Sequence, residues 1–243
     1  MIVTLDSHSL QYNQYIQHIK TPFDKQEYFM KLEEERNLIV EYGKKLIASQ
    51  LTTGSGGNLS IFNRKENLIA IKPSGMDYLL MQPEDVVVLS PDGSIVEGSR
   101  QPSSETKFHL ALLNRRTDIN AVVHTHQVYA TTIACMNWEL PAVHYLVGFS
   151  GNKVPLAKYA TYGSQELSDN ILEAIGNYNA CLMANHGIVT VGASILSAFA
   201  VAEEIELVAR LYVQCKSMGE PVILSKEEMV VVGEKFKTYG QRR

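Results

Sequence analysis

The sequence predicts one α/β domain, a sheet with helices covering its faces. Segments with a 3.6-residue apolar rhythm mix with short apolar runs, without the strict alternation of a doubly wound chain. The 243 residues are 45% hydrophobic and 20% charged, ordinary for a globular protein, and no repeat period or low-complexity tract divides them.

The balance of charge narrows the partners. A net charge of −4 without a basic block argues against nucleic acid, so a small anion would need local recognition. Cys135, Cys181 and Cys215 lie far apart with no Cys-x-x-Cys pair, and they read as reduced apolar fillers of a cytoplasmic protein. There is no basic start leading into an apolar core, and no run approaches the ~20 apolar residues of a membrane span. A cytoplasmic protein without a membrane partner is expected.

Residues 1–30 are polar and tyrosine-rich and read as an N-terminal extension, with His8 and His18 as solvated residues; the organised domain is 31–243. From Lys31 to Gln50, Leu32, Leu38, Ile39, Tyr42, Leu46 and Ile47 mark an amphipathic helix, with Glu33 to Arg36 as its solvated face. The stretch Thr52 to Ile61 places three glycines among hydroxyl and amide residues before a strand. It reads either as a plain turn or as a backbone cradle for a phosphate, though it fits neither known nucleotide signature. Short strands follow at Leu68–Lys72, Val86–Leu89 and Ser94–Glu97, separated by Pro and Gly turns.

The stretch 103–126 carries the chemistry. Phe108, Ala111, Leu112 and Arg115 keep a helical rhythm, and Ser103 or Ser104 is expected to cap the start, where free N–H groups favour an anion. Ile119 to His126 becomes strand-like, so His124 and His126 share a face. Two such imidazoles can hold a metal with Glu105 or a distant histidine, or they are simply an incidental pair at the core edge.

Further on, Val128–Met136 reads as a helix and Ala142–Tyr145 as extended, with His144 on the face opposite Tyr145. A helix is predicted over 164–176. The buried strand Ala180 to Ala184 then runs out into Asn185, His186 and Gly187, which places His186 well as a further ligand. A helix over 194–218 carries Val201, Ile205, Val208, Tyr212 and Cys215 inward and Glu203, Glu204 and Glu206 outward, and Met229, Val232 and Phe236 keep helical spacing in the tail.

Gly56-Gly57-Asn58-Leu59-Ser60, Lys72-Pro73-Ser74-Gly75, Ser103-Ser104-Glu105, His124-Thr125-His126 and Asn185-His186-Gly187, in that order, resemble the class II aldolase/adducin family. The resemblance runs from about Glu35 to the C-terminus. Segments 141–145, 159–168 and 234–240 are similar to the members that act on L-fuculose 1-phosphate.

The resemblance implies a mixed, mostly antiparallel central sheet and one Zn2+ per subunit held by Glu105, His124, His126 and His186. It implies a sugar-phosphate pocket made by Asn58, Ser74, Gly75, Ser103 and Ser104, and a fourfold symmetric homotetramer with active sites between subunits. The reaction implied is reversible cleavage of L-fuculose 1-phosphate, or a close ketose 1-phosphate, to dihydroxyacetone phosphate and L-lactaldehyde or a related aldehyde, in L-fucose degradation. Glu105 would move the proton at C3, Tyr145 would serve as acid for the C4 oxygen, and Tyr239 would lie near the aldehyde half.

Tyr162 and the loop 146–152 depart from the family pattern where the aldehyde side chain would sit. The rival readings are an L-ribulose-5-phosphate 4-epimerase, which typically has aspartate at the place of Glu105, a methylthioribulose-phosphate dehydratase, and a non-catalytic adducin-like module, which needs no metal ligands.

Overall fold

The computed structural model describes residues 30–236 and 238. The expectations for the N-terminal extension, with His8 and His18, and for Tyr239 lie outside the described residues. The elements are α1 (Glu33–Ala48), β1 (Asn58–Asn63), β2 (Leu68–Ile71), β3 (Val87–Leu89), β4 (Ile95–Glu97), α2 (Thr106–Arg115), β5 (Ala121–Thr125), α3 (Val128–Cys135), β6 (Leu156–Ala157), α4 (Gln165–Ile175), β7 (Ala180–Met183), β8 (Gly187–Gly192), α5 (Ile195–Met218) and α6 (Lys226–Phe236). The eight strands form one sheet in the order β4-β3-β2-β1-β5-β8-β7-β6. Among the described residues only β6 and β7 pair in parallel, so the sheet is mixed and mostly antiparallel, as expected.

Strand alternation sorts the core into two faces. Leu59, Ile61, Ala70, Val88 and Val123 meet Ile39, Tyr42 and Leu46 of α1 and Ala198 and Phe199 of α5. Phe62, Ile69, Val122, Cys181, Val189 and Val191 turn the other way, onto Phe108 and Leu112 of α2 and Leu167 and Ile171 of α4. A further cluster joins Ile133 of α3 to Val201, Ile205 and Val208 of α5 and to Met229 and Val232 of α6. Among the described residues no helix is long and apolar enough to cross a membrane.

Four expectations are corrected. Arg36 is not on a solvated face: its side chain is buried, its Nη2 lies 2.7 Å from Glu97 Oε1, and its other donors reach the carbonyls of Lys31, Pro83 and Val86. A guanidinium satisfied on so many sides tolerates burial. Glu206 is not on the wet side of α5 either, since its carboxylate accepts from Tyr129 N at 2.8 Å and Ala130 N at 3.0 Å, the free donors of the first turn of α3. Residues 142–145 do not run extended: the chain bends over 142–144. Val143 N turns back onto Pro141 O at 2.7 Å, and a 3-10 helix over Tyr145–Phe149 begins with His144 Nδ1 accepting from Leu146 N. Of the three cysteines only Cys181 is buried, while Cys135 is exposed.

Besides the two-residue β6, one strand, β8, has no counterpart in the sequence reading. It is buried along its length between β5 and β7, so its side chains show no alternation of polarity to reveal it.

Candidate active site

The site forms where β1, β5 and the β7–β8 turn come together beside the start of α2. Asn58 and His124 are directly paired across β1 and β5, which puts their side chains on the α2 face. Gly57 makes that approach possible. Its φ is +72°, and a Cβ there would lie 2.5 Å from His124 O.

His124 ends β5 with Thr125, His126 follows just outside the strand, and His186 projects from the turn behind Asn185, whose φ is +55°. The three rings converge, with one nitrogen from each lying within 4.8 Å of the others. His124 Nε2 is 3.1 Å from His126 Nε2. Glu105 reaches into the same space, with Oε2 3.3 Å from His124 Nε2 and Oε1 3.4 Å from His186 Nε2. All four expected ligands are therefore in one cluster.

The donor set fits a metal ion. Oε1 of Glu105 is buried and makes no hydrogen bond, an orphaned acceptor aimed at the histidines. His124 Nδ1 donates to Ile188 O at 2.9 Å, which leaves the Nε2 lone pair for a ligand. Burial pulls His126 and His186 down to about 4, so both rings are neutral near pH 7 and free to ligate. Burial also opposes charge on His124, but Glu105 outweighs it and raises this ring, so a proton and a cation compete for the same place. Burial works against ionisation of Glu105 too, yet His124, His186 and the Asn58 amide together hold its carboxyl below the usual range. Two neutral imidazoles, a third whose proton a cation would displace, and a carboxylate form a donor set that fits a metal ion.

The cluster opens into a cavity of about 330 Å³ whose other end carries a lysine, two glycine and serine turns and their hydroxyls. Lys72, Ser74, Gly75, Ser103 and Ser104 line it there. The two turns that carry them are tied together by Ser74 N donating to Gln101 O at 2.9 Å and Ser103 N to Lys72 O at 3.1 Å. Neither serine caps α2. Glu105 occupies the cap position, and Ser103 Oγ instead accepts from Glu105 N at 3.2 Å, because the chain turns one residue later than the sequence reading has it.

Lys72 is a site residue that the sequence reading misses. Its ammonium is held by Ser55 O at 3.3 Å and Pro73 O at 3.2 Å, over the Tyr78 ring, and burial brings its pKa down to about 8. The signal was a lysine closing an apolar strand just before Pro-Ser-Gly. Tyr159 and Tyr162 also line the cavity and are exposed. His109 is a second omission, completely buried behind Asn58.

Tyr145 does not join this cavity. It stands 48% exposed in a separate cleft with Phe149, Glu204, Val232 and Phe236. His144 lies outside the histidine cluster.

Residues 37–213 match the model of the class II aldolase and adducin N-terminal domain. The 5-deoxy-D-ribulose 1-phosphate aldolase of Bacillus thuringiensis serovar kurstaki is 52% identical over 88% of this chain and 100% of that protein. The L-fuculose phosphate aldolase of Escherichia coli K12 is 39% identical over 79% of this chain and 89% of that protein. A solved L-fuculose 1-phosphate aldolase superposes with a TM-score of 0.83 at 45% identity, covering 84% of this chain and 96% of its own. On sequence and fold together, the chain belongs to the class II aldolase and adducin N-terminal domain family.

Proposed function

We propose that the protein is a zinc-dependent aldolase that cleaves a short deoxyketose 1-phosphate to dihydroxyacetone phosphate and an aldehyde. 5-Deoxyribulose 1-phosphate is the first substrate to consider, with acetaldehyde as its second product. L-Fuculose 1-phosphate, giving L-lactaldehyde, is the second. The order follows the likeness to the Bacillus thuringiensis and Escherichia coli proteins. One observation carries the reading: a single cavity joins the Glu105 and histidine cluster to the buried Lys72 cation and the hydroxyls of Ser74 and Ser103. Dihydroxyacetone phosphate has both ends of that pattern, a carbonyl with a neighbouring hydroxyl and a phosphate.

Zinc on Glu105, His124, His126 and His186 would supply a Lewis acid for the charge that develops when C3–C4 breaks. The protein's own groups do the rest. Lys72 with the hydroxyls and N–H groups at 74–75 and 103–104 binds the phosphate and fixes the three-carbon half. Written in the condensation direction, the Glu105 carboxylate takes the proton from C3, the electron pair left there bonds to C4, Tyr145 protonates the C4 oxygen, and Glu105 passes its proton on to restore Tyr145. Cleavage runs the same steps in reverse, so the proton leaving the C4 hydroxyl is balanced by the one added to C3. Tyr145 serves the C4 oxygen, with Tyr239 near the aldehyde half.

Tyr145 stands exposed and apart from the cavity of its own chain, which supports its serving the cavity of a neighbouring subunit in a homotetramer. Glu105, rather than aspartate, and the complete histidine set favour the aldolase over the epimerase and the metal-free module.

A coupled assay for dihydroxyacetone phosphate across 5-deoxyribulose, L-fuculose and L-rhamnulose 1-phosphates tests the substrate. The proposal expects the highest kcat/KM with 5-deoxyribulose 1-phosphate. A clear preference for L-fuculose 1-phosphate would reverse the order, and no release from any of the three would remove the aldolase reading.

A further inference from the structure

Behind Glu105 runs a line of buried polar side chains that the aldol chemistry above leaves without a role. Asn58 Nδ2 donates to Glu105 Oε2 at 2.9 Å, Asn58 Oδ1 meets His109 Nε2, and His109 Nδ1 meets Ser60 Oγ at 2.7 Å. Ser60 and His109 have no exposed surface, and Asn58 has 4%. Asn58 and Ser60 alternate along β1 and so share the face against which α2 packs His109.

The direction of every bond in this line is fixed. An ionised carboxylate only accepts, so Asn58 must turn its N–H toward Glu105 and its oxygen away. That oxygen also only accepts, so His109 Nε2 must carry the hydrogen. The ring is neutral, since burial pulls it down to about 3, and its Nδ1 is therefore a lone pair that accepts from the Ser60 hydroxyl. All three donors point toward Glu105, and only the Nε2–H tautomer allows it. The other tautomer would leave Asn58 Oδ1 without a donor and free the amide to rotate its oxygen toward the carboxylate. Stacking on Phe108, with ring centroids 4.6 Å apart, holds the imidazole in plane.

We propose that His109 is a positioning residue which, held as the Nε2–H tautomer between the Asn58 oxygen and the Ser60 hydroxyl, orients the Asn58 amide so that Glu105 keeps a single orientation toward the three histidines. The inference rests on the metal-dependent reading above. It also assigns Asn58 to the metal end of the cavity, where the family resemblance assigns it to the phosphate. The two roles differ in kinetics: a phosphate ligand acts on KM, whereas a residue that holds Glu105 acts on kcat and on zinc affinity.

The test uses the full-length chain with His109→Leu and His109→Gln. Glutamine places an amide nitrogen where Nε2 stood and can still donate to Asn58; leucine cannot. By chelator competition, His109→Leu is expected to bind zinc roughly tenfold more weakly, and zinc-saturated kcat to fall by a similar factor with KM little changed. His109→Gln is expected to recover most of both. Ser60→Ala keeps the ring but removes the donor to its buried Nδ1, and it should weaken zinc binding in the same direction even if His109→Leu fails to fold. Independently of activity, 15N NMR of the wild type should show His109 protonated on Nε2.

An Nδ1-protonated His109, a glutamine variant as impaired as the leucine one, or a change in KM at constant kcat would each overturn the positioning role alone. A wild-type protein that binds no zinc would overturn the metal-dependent reading along with it.

Discussion

Glu105 Oε2 lies 3.3 Å from His124 Nε2, at the place where the start of α2 meets the end of β5. A carboxylate so close to the cluster, with its other oxygen buried and without a hydrogen bond, fits a cation ligand. Glu105→Gln keeps the shape and the Asn58 contact while removing the charge and the base. It is expected to retain the fold and lower turnover by about 10²–10⁴-fold, a range typical of a lost general base. Unaltered turnover would take Glu105 out of the chemistry.

Lys72→Met addresses the other end of the cavity. Methionine fills the apolar strand end but offers no cation, and a charge-assisted hydrogen bond is worth about 1.5–3 kcal/mol. KM for the ketose phosphate is therefore expected to rise roughly 10- to 100-fold, with weaker inhibition by inorganic phosphate and a smaller effect on kcat. Steady-state kinetics separates the two constants, and an unchanged KM would place the phosphate elsewhere.

Gly57→Ala tests the closeness of β1 and β5. The new Cβ would sit 2.5 Å from His124 O at a φ of +72°, so the strands must part just where the first histidine leaves β5. A lower melting temperature and weaker zinc binding, by roughly tenfold, are expected together. A variant with lower stability but undisturbed zinc affinity would show that the cluster tolerates the displacement.

His109 makes stability depend on pH. Its folded pKa of about 3 lies below the ordinary 6.5, so between those values the unfolded chain binds the extra proton. Stability owed to the neutral ring is complete above 6.5, declines as pH falls through the window, and changes no further below about 3. One proton corresponds to about 1.4 kcal/mol per pH unit. Urea unfolding of the metal-free protein across the window should be shallower in pH for His109→Gln by that slope. Equal slopes would mean that His109 titrates normally in the folded state.

Much of this arrangement was legible in the sequence because it depends on local pattern. The apolar rhythm of α1 and α5, the run-out of β7 into His186, and the order of five short motifs led to the sheet and the four clustered side chains. What escaped depends on pairing between distant segments. β8 is buried on both sides and shows no alternation. Arg36 looks like part of a charged helix face until Glu97 and two carbonyls are seen to surround it. Ser103 and Ser104 stood at a plausible cap, but the cap position falls to Glu105. His109 and Lys72 read as ordinary residues of a helix and a strand, since nothing local reveals that one backs Asn58 and the other faces the cavity.

The most direct measurement is release of dihydroxyacetone phosphate from 5-deoxyribulose 1-phosphate by purified protein before chelation, after chelation and after zinc is restored. One zinc per chain, activity lost on chelation and regained with zinc, is the expected result. A metal-free protein with full activity would contradict the account.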